Sequence, residues 1–362
     1  MSRPGDRGGC GPTYTCPVSD RPRRPTLRDI AEETGLSQAA VSYALRGLQV
    51  TEETQQRVQE AADRLGYQVD PIARALASGR TGSIGVLCRS LQDMWQQSVA
   101  AALGRQLLDA GRNGLIVDST NDPRLEASLA QRLVDQRVDA LIVLPVDPQG
   151  AHWPAIAAQT VLVSVGDSLV GAATAAEVVF DNAGGVTDAL TRLAEAGHRD
   201  VAVLTPVGVS TPDRPAEAVV HRVAAEHGMR ATLHTAPHDL DGASAVASAL
   251  LTQEMPPTAI LCLADSFAYG VYAAAGALGL RLPDDVSVLG FDDHPFSRLL
   301  TPPLSSYRWP VDELVAAVVQ RTVRAVDEGK HSRRKVLTAT PQMRGSVGPP
   351  TARPRAAVHR QR

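Results

Sequence analysis

The sequence has 362 residues, a length that predicts two or three domains rather than one hydrophobic core. Its formal net charge is −3 and 21% of its residues are charged, so it has no overall basic character, and any nucleic-acid binding must rest on local charge. No apolar run approaches the roughly 20 residues of a membrane-spanning helix. The first residues also lack the apolar core of a secretory signal, and we therefore expect a cytoplasmic protein with no membrane partner.

The two ends of the sequence predict disorder. Residues 1–25 are rich in Gly, Pro and Arg, and residues 348–362 form a similar basic tail. Such segments can touch phosphates, although a run of charge is more often only solvated. The four cysteines share no metal-like spacing, and the FDDH motif at 291–294 lacks the spacing of metal ligands, so neither a metal nor a cofactor is expected.

Residues 26–69 contain three short helical patterns, and Thr26, Ser37 and Thr51 are candidate N-caps for them. Two helices joined by a Gly-containing turn inside a three-helix unit predict a helix-turn-helix. Its second helix, in SQAAVSYALRG at 37–47, would lie in the major groove of DNA. Its alanines would permit close approach, and its Ser and Gln side chains would exchange hydrogen bonds with base edges. The alternative is a helical hairpin with a purely structural role.

Residues 70–82 predict a short hinge helix after this head. Pro71 suits the first turn of a helix, but the segment is too short to be stable alone in water. A second copy and bent DNA could stabilise it, and Leu76 could then wedge between base steps in the minor groove. The alternative is a plain linker with a solvent-exposed leucine.

From Ser83 onward, short apolar strands alternate with helices, which indicates parallel sheets with right-handed crossovers. A first set of strands is expected at 84–88, 115–120, 140–145 and 161–166. A second set is expected at 178–180, 200–204, 231–236, 259–263 and 286–291. The predicted fold class is an all-α helix-turn-helix head followed by an α/β core with two parallel-sheet lobes and a cleft between them.

Three segments, in order, resemble the LacI/GalR family of bacterial repressors. They are TLRDIAEETGLSQAAVSYALRG, IARALASGRTGSIGVL and the far segment PTAILCLADSFAYG with its continuation VLGFDDHPFSRLLTPPLSS, and the likeness runs from about Thr26 to Val347. The resemblance implies a two-lobed core over 83–347, similar to periplasmic sugar-binding proteins, that binds a small effector and forms a homodimer. The dimer would bind near-palindromic double-stranded operator DNA.

The resemblance also implies site residues by position. Those matching DNA contacts are Thr26, Ser37, Gln38, Ala39, Ser42, Tyr43, Thr51, Thr54, Ala73 and Leu76. Tyr43 stands where many members carry Arg, which puts the usual operator sequence in doubt. Those matching effector contacts are Trp95, Asp181 and Asp265. Helix capping is the alternative role for the two aspartates, and a place in the core is the alternative for Trp95.

One region departs from the family pattern. Members often carry an Arg three residues before a Gly-aromatic pair, and this Arg clamps the effector. Here Ala216 stands at the clamp position and Val219-Val220 replaces the pair, although Arg214 lies nearby and could substitute. The effector would then differ from an ordinary sugar or purine, or the effector site would have been lost.

These patterns favour a sequence-specific transcriptional regulator, a repressor controlled by a small and sugar-like molecule. An enzyme is not expected, because no catalytic constellation can be argued from the sequence. A solute-binding protein of the transport kind would need a signal peptide and would lack the head. An effector-independent DNA binder is the other alternative, and the missing Arg clamp favours it.

Overall fold

The computed structural model describes residues 25–48, 50–67, 79–206, 211, 213 and 216–351. Nearly all of the basic arm and of the C-terminal tail lies outside these residues. So do the hinge positions Ala73 and Leu76 and the candidate clamp Arg214, and the predictions made for them stay predictions. The chain divides into two compact units, Met1–Ala77 and Ser78–Arg362, and each is described by itself.

The first unit contains three short helices, α1 (Leu27–Thr34), α2 (Gln38–Leu45) and α3 (Glu52–Leu65). Two of the expected caps form hydrogen bonds to the backbone. Ser37 Oγ accepts from the N–H of Ala40 at 3.1 Å and begins α2. Thr51 Oγ1 likewise accepts from the N–H of Thr54 at 3.3 Å and begins α3. The three helices bury a small apolar core made of Ile30, Ala31, Val41, Ala44, Val58, Ala61 and Ala62.

The second unit is an α/β structure. Its strands are β1 (Ser83–Cys88), β2 (Asn113–Asp118), β3 (Ala140–Val143), β4 (Val161–Gly166), β5 (Ala176–Phe180), β6 (Asp200–Pro206), β7 (Arg230–Ala236), β8 (Ala259–Cys262), β9 (Ser287–Phe291), β10 (Ser305–Arg308), β11 (Lys335–Leu337) and β12 (Thr340–Gln342). Its helices are α4 (Met94–Asp109), α5 (Pro123–Asp135), α6 (Trp153–Ala157), α7 (Asn182–Glu195), α8 (Ala216–Glu226), α9 (Leu240–Leu251), α10 (Asp265–Ala277) and α11 (Val311–Glu328), with a short 3-10 helix at Pro295–Arg298. None of the described helices is long and apolar enough to cross a membrane.

These strands form two sheets, and each sheet with its helices is one lobe. Lobe 1 has the strand order β11-β5-β4-β3-β1-β2, and all of its pairs are parallel. Lobe 2 has the order β12-β10-β9-β8-β6-β7, with only the β10–β12 pair antiparallel. The expected fold class, a helical head with a core of two parallel-sheet lobes, is confirmed.

Every expected strand coincides with an observed strand to within two residues, but one was assigned to the wrong lobe. The segment 178–180 was expected to open the second set, whereas β5 pairs with β4 and completes the sheet of lobe 1. Sheet membership is decided by long-range pairing, which a local apolar pattern does not encode. Three short strands and the helix α11 at the C-terminal end were not predicted at all.

The chain passes between the lobes three times, after Phe180, after Arg308 and after Leu337. Helix α11 therefore returns to lobe 1, where Leu314, Val315 and Val318 join the same core as β1, β3 and β4. Each lobe keeps its own hydrophobic core on its side of these three crossings. The cleft lies at these crossings.

Candidate DNA-binding surface and effector cleft

The exposed face of α2 carries most of the predicted base contacts. Ser37, Gln38, Ala39 and Tyr43 are exposed, while Val41 and Ala44 of the same helix are fully buried. Ser42 is half-buried at the edge of this face. The buried side chains hold α2 against the rest of the head, and the exposed side chains are the ones that can reach a ligand. The assignment of these positions to DNA remains a prediction.

The charge around α2 suits a polyanion. Residues 34–51 contain no Asp or Glu, although the head as a whole has more carboxylates than arginines. The guanidinium of Arg46 lies over the ring of Tyr43, 5.2 Å from its centroid, and its Nε donates to the carbonyl of Ser42 at 3.0 Å. Arg46 was not among the predicted contacts, yet it is the one charged side chain in 37–47. It supplies a cation beside the position where many family members carry Arg.

The three predicted phosphate contacts lie at helix N-termini, where exposed N–H groups favour anions. Thr51 Oγ1 lies 3.0 Å from Thr54 Oγ1 at the start of α3. The carboxylate of Asp29 accepts from both the N–H and the hydroxyl of Thr26, at 2.6 and 2.8 Å. The Thr26 hydroxyl would therefore have to change its hydrogen-bond acceptor to reach a phosphate.

In the second unit, a cavity of about 140 Å³ lies between the two lobes. Charged side chains reach it from both sides, with Arg89, Asp93 and Asp167 in lobe 1 and His238 and Asp292 in lobe 2. Arg89, Asp167 and Asp292 each follow the carboxyl end of a parallel strand, which is where ligands of α/β sheets bind. The remaining wall is mainly apolar and aromatic.

Trp95 lines this cavity, as the resemblance implied. Its ring meets that of Phe180 edge to face, with centroids 5.5 Å apart, and Phe180 in turn lies 4.6 Å from Trp309. The indole Nε1 of Trp95 is buried and has no hydrogen-bond acceptor among the described residues. A buried donor without an acceptor is unfavourable, so this atom is free to bind a ligand oxygen.

Asp265 occupies a different place from the one implied. It does not line the cavity, and its carboxylate is buried beneath the first turn of α10. Oδ1 accepts from the hydroxyl of Ser306 at 2.6 Å, and Oδ2 accepts from the N–H of His294 at 2.9 Å and from the hydroxyl of Ser297. Burial raises the pKa of Asp265 to about 7. Because its oxygens already hold these donors, Asp265 positions the segment that follows β9 in this arrangement of the lobes, and its contact with an effector stays a prediction.

Close packing beneath α10 explains why Asp265 turns inward. A Cβ atom on Gly290 would lie 2.2 Å from Asp265 Oδ1, so glycine at this strand position leaves the carboxylate room. The carboxylate then bridges α10 to β10 through Ser306. A local pattern cannot show whether an aspartate at the start of a helix faces a cleft or the sheet below it.

Asp181 fits its capping alternative. Its Oδ1 accepts from the N–H of Gly184 at 2.8 Å and begins α7, and it does not line the cavity. The neighbouring Asn182 does line it, and its side-chain amide donates to the carbonyl of Asp213 at 2.8 Å. The implied pair is therefore divided between capping and the cleft wall.

Asp292 is one of three acidic residues of the cleft, with Asp93 and Asp167, that the sequence reasoning missed. It follows β9 with a φ of 104°, a left-handed conformation that non-glycine residues rarely adopt. Burial raises the pKa of Asp292 well above its ordinary value, and the nearby Asp93 and Asp265 carboxylates raise it further. The signal was present in FDDH, but the motif was considered only as a metal site. No cluster of metal-ligating side chains occurs within the described part of the chain.

Arg89 is surrounded by carboxylates. Its guanidinium donates to the carbonyl of Pro145, with Nη2 at 3.2 Å. Burial lowers the pKa of Arg89, and the negative charges of Asp167, Asp93 and Glu126 oppose this shift. Burial raises the pKa of Asp167 to about 6 and that of Glu126 to about 7. The cleft therefore holds more acidic than basic groups.

Two described residues after β6, Thr211 and Asp213, contact lobe 1 beside this cavity. Thr211 Oγ1 donates to Asp167 Oδ1 at 2.6 Å, and the N–H of Ser168 donates to Asp213 Oδ2 at 2.9 Å. Arg334 forms an ion pair with the same Asp213 carboxylate. Thr211 and Asp213 follow β6 of lobe 2, whereas Asp167, Ser168 and Arg334 belong to lobe 1. We call these contacts between the two lobes the inter-lobe latch.

The structure describes three of the residues at which this chain departs from the Arg clamp pattern. Ala216 begins α8 and does not line the cavity, and Val219 and Val220 are buried in the core of lobe 2. The aliphatic pair therefore serves packing. Among the described residues, Asp213 rather than an arginine extends from this region toward lobe 1.

Comparisons with known proteins match both units. Residues 26–70 match the model for bacterial regulatory proteins of the lacI family, and residues 190–347 match that for the periplasmic binding protein-like domain. The chain is 28% identical over 334 residues to the ribose operon repressor of Haemophilus influenzae, covering 89% of this chain and 98% of the relative. It is 30% identical over 311 residues to the HTH-type transcriptional regulator MalR of Streptomyces coelicolor, covering 81% and 88%.

The fold is also that of a solved regulator. The lac repressor dimer bound to operator and the anti-inducer ONPF superposes with a TM-score of 0.79 at 23% identity, covering 90% of this chain and 99% of that one. The sequence relatives named above are a repressor and a transcriptional regulator, and both extend over nearly the same length as this chain. The chain thus belongs to the LacI family of bacterial regulatory proteins and is a DNA-binding transcriptional regulator.

Proposed function

We propose that this regulator is a repressor whose affinity for a near-palindromic operator is set by a small molecule bound between the lobes. The observation that carries the proposal is the pairing of an acid-free, exposed recognition helix with a cavity lined by charged side chains from both lobes. We expect regulation rather than catalysis, and action in the cytoplasm where the operator is.

The coupling between the two sites would be a population shift. A ligand that contacts Asp93 in lobe 1 and Asp292 in lobe 2 has differential affinity for the open and closed lobe arrangements, so it changes their populations. Lobe movement would alter the spacing of the two hinge segments at 70–82 in the dimer and thereby the insertion of Leu76 into the minor groove. DNA must change effector affinity by the same factor.

An apolar edge in lobe 1 supports the homodimer. Strand β2 ends its sheet, and Leu115 and Ile116 on it are exposed. The Cδ1 atom of Ile116 would lie 3.5 Å from a Cβ on Gly104 of α4, and Leu108, one turn further along α4, is 67% exposed. Exposed sheet edges and contiguous apolar patches are usually covered. We propose that a second copy of this chain covers this one.

The test is binding of the purified protein to DNA upstream of its own gene, at stated salt, beside Leu76→Ala. We expect protection of a palindromic site, and a much greater loss of affinity for that site than for random DNA in the variant, because only the specific complex would use the wedge. Equal and weak binding of both proteins to all DNA would contradict sequence-specific repression.

An effector-independent DNA binder remains the second candidate, because no arginine clamp is found in the described part of the cleft after β6. Screening small molecules by thermal shift separates the two. A ligand that raises the melting temperature and changes operator affinity supports allosteric control, and a DNA affinity that no ligand changes supports the constitutive binder.

A further inference from the structure

We propose that an ion-pair network at one end of lobe 1 holds the chain where it enters the core, and that operator affinity depends on this network. Its four side chains are Arg80, Arg112, Asp139 and Asp327, and we call it the entry anchor. Asp139 and Asp327 are positioning residues, because each acts on operator binding only through the segment that it holds. This inference rests on the proposed function, since it names the residues that fix the end of the hinge segment at 70–82.

Two guanidinium groups share the carboxylate of Asp327. This residue is the next-to-last of α11, and its Oδ1 accepts from Arg80 Nη1 at 2.9 Å and from Arg112 Nη2 at 2.5 Å. Arg112 directly precedes β2, its side chain is only 16% exposed, and its Nη1 lies 3.7 Å from Asp139 Oδ2. Opposite charges therefore alternate without a break from residue 80 to the residue before β3. Such a network contributes more than an isolated surface pair.

Asp139 holds the backbone of the entering chain. Its Oδ1 accepts from the N–H of Thr81 at 2.8 Å, and its Oδ2 accepts from the N–H of Gly82 at 2.9 Å. The hydroxyl of Thr81 also donates to the carbonyl of Arg137 at 2.9 Å. Hydrogen bonds to an ionised carboxylate are stronger than those between neutral groups. Residues 81 and 82 are therefore fixed relative to the start of β3.

Helix α11 makes the entry anchor part of lobe 1. Its buried residues Leu314, Val318 and Ala325 belong to the same core as β1, β3 and β4, and Asp327 follows Ala325 by two residues. A packed helix, rather than a loop, thus places the carboxylate that binds Arg80. A movement of lobe 1 would carry the anchored residues with it.

The anchor restricts the segment that we expect to reach the DNA. Leu76 precedes Arg80 by four residues, and four residues span at most about 14 Å. Restricting a segment before it binds reduces the entropy lost on binding. Without the anchor, this part of the chain would have to be ordered when the operator binds. Random DNA, into which no leucine is expected to wedge, makes no such demand.

The experiment measures binding of the full-length protein to DNA upstream of its own gene and to random DNA of the same length, at one stated salt concentration. In Asp327→Asn, both guanidinium groups lose the charge of the carboxylate that they share. Partly exposed ion pairs contribute modestly, so we expect operator affinity to fall about threefold per subunit and about tenfold for a dimer. Affinity for random DNA should not fall.

The direction of this change separates the entry anchor from general electrostatics. Asp327→Asn removes a negative charge, which by itself should raise the affinity for DNA of any sequence. Glu328→Gln is the matched control, because it removes the same charge one residue further along α11, from a carboxylate paired with Arg324 and Lys330. This control should retain or raise operator affinity. Asp327→Glu keeps the charge and should restore most of the lost affinity.

Arg80→Gln tests the other partner of the same ion pair. It should lower operator affinity alone, and the double variant with Asp327→Asn should lose clearly less than the product of the two single losses, because both remove one contact. If Arg80 instead binds a phosphate, its variant should lose affinity for all DNA and the salt slope should fall by about one. Both side chains are more than a third exposed, and thermal unfolding of each variant checks that the fold is retained.

The outcomes separate the entry anchor from the function beneath it. Equal operator affinity in Asp327→Asn and Glu328→Gln overturns the anchor, and so does a loss in Asp327→Asn that is the same for random DNA. In both cases a wild-type protein that protects a palindromic site still supports repression. If the wild-type protein prefers no site, the proposed function is contradicted, and the anchor falls with it.

Discussion

The hydroxyl of Thr211, in the segment that leaves lobe 2, donates to the carboxylate of Asp167 in lobe 1 at 2.6 Å. Two residues further along, Asp213 accepts from the N–H of Ser168 and pairs with Arg334, so three contacts hold the lobes together beside the cavity. Because Asp167 also lines the cavity, a ligand that draws on this carboxylate acts directly on the latch. The inter-lobe cavity and the inter-lobe latch therefore share Asp167.

Removing the latch should open the cleft. In Arg334→Gln the ion pair with Asp213 is lost, which should weaken the contact between the lobes by about 1.5–3 kcal/mol, the range for hydrogen bonds to charged groups. Small-angle X-ray scattering should show a larger radius of gyration, and the fluorescence of Trp95 and Trp309 should shift to longer wavelength. The neighbouring Arg333→Gln serves as a matched control, and the same change in both variants would contradict a specific latch.

The exposed face of α2 should determine DNA affinity through Arg46 as well as Tyr43. Arg46→Ala removes the cation that lies over the Tyr43 ring, so affinity should fall for operator and random DNA alike. The slope of log affinity against log salt should decrease by about one, as for the loss of one phosphate contact. Gln56→Ala, on the exposed surface of α3, is the control. A loss confined to one operator position would instead identify Arg46 as a base contact.

Tyr43→Ala should have a different signature from Arg46→Ala. If Tyr43 contacts a base, the variant should lose about 1–3 kcal/mol of discrimination at one operator position with little change in the salt slope. Binding to a set of single-base operator variants measures this directly. Uniform loss across all operators would place Tyr43 on the phosphate backbone.

The apolar edge of lobe 1 should be a subunit interface. Ile116→Lys places a charge where Ile116 and Leu108 are exposed, and it should shift the protein from dimer to monomer and weaken operator binding, which requires two half-sites. Sedimentation velocity gives the oligomeric state. Met255→Lys, at an exposed apolar residue of lobe 2, should leave the dimer intact, and an unchanged dimer in Ile116→Lys would exclude this edge.

Stability should depend on pH through Asp265. Its pKa is raised to about 7 in the folded protein by burial, against about 4 for an aspartate in an unfolded chain, so the folded state binds this proton more tightly. The free energy of unfolding should therefore fall as pH rises from about 4 to about 7, by at most about 1.4 kcal/mol per pH unit. Asp265→Asn has no such proton, and its curve should be flatter over this window. Parallel curves from denaturant titrations would contradict the assignment.

The sequence by itself determined the head and most of the strands and helices, although not α11 or the three short strands near it. Ser37 and Thr51 cap α2 and α3 by accepting hydrogen bonds from N–H groups three residues further along the chain. Val41 and Ala44 form the buried face of α2, which leaves Gln38 and Tyr43 exposed. These are local properties with a reach of three or four residues. The alternation of short apolar strands with helices likewise predicted the two parallel-sheet lobes.

Only the tertiary structure decided which side chains meet in the cleft. Asp265 and Asp292 are both acidic residues that follow a strand, and nothing local distinguishes them. The space left by Gly290 admits the carboxylate of Asp265 beneath α10. Asp292 instead has a positive φ and lines the cavity. Sheet membership of β5 and the return of α11 to lobe 1 depend on pairing and packing between residues far apart in the chain. Long-range contacts of this kind have no local signature, which is why the cleft required the folded structure.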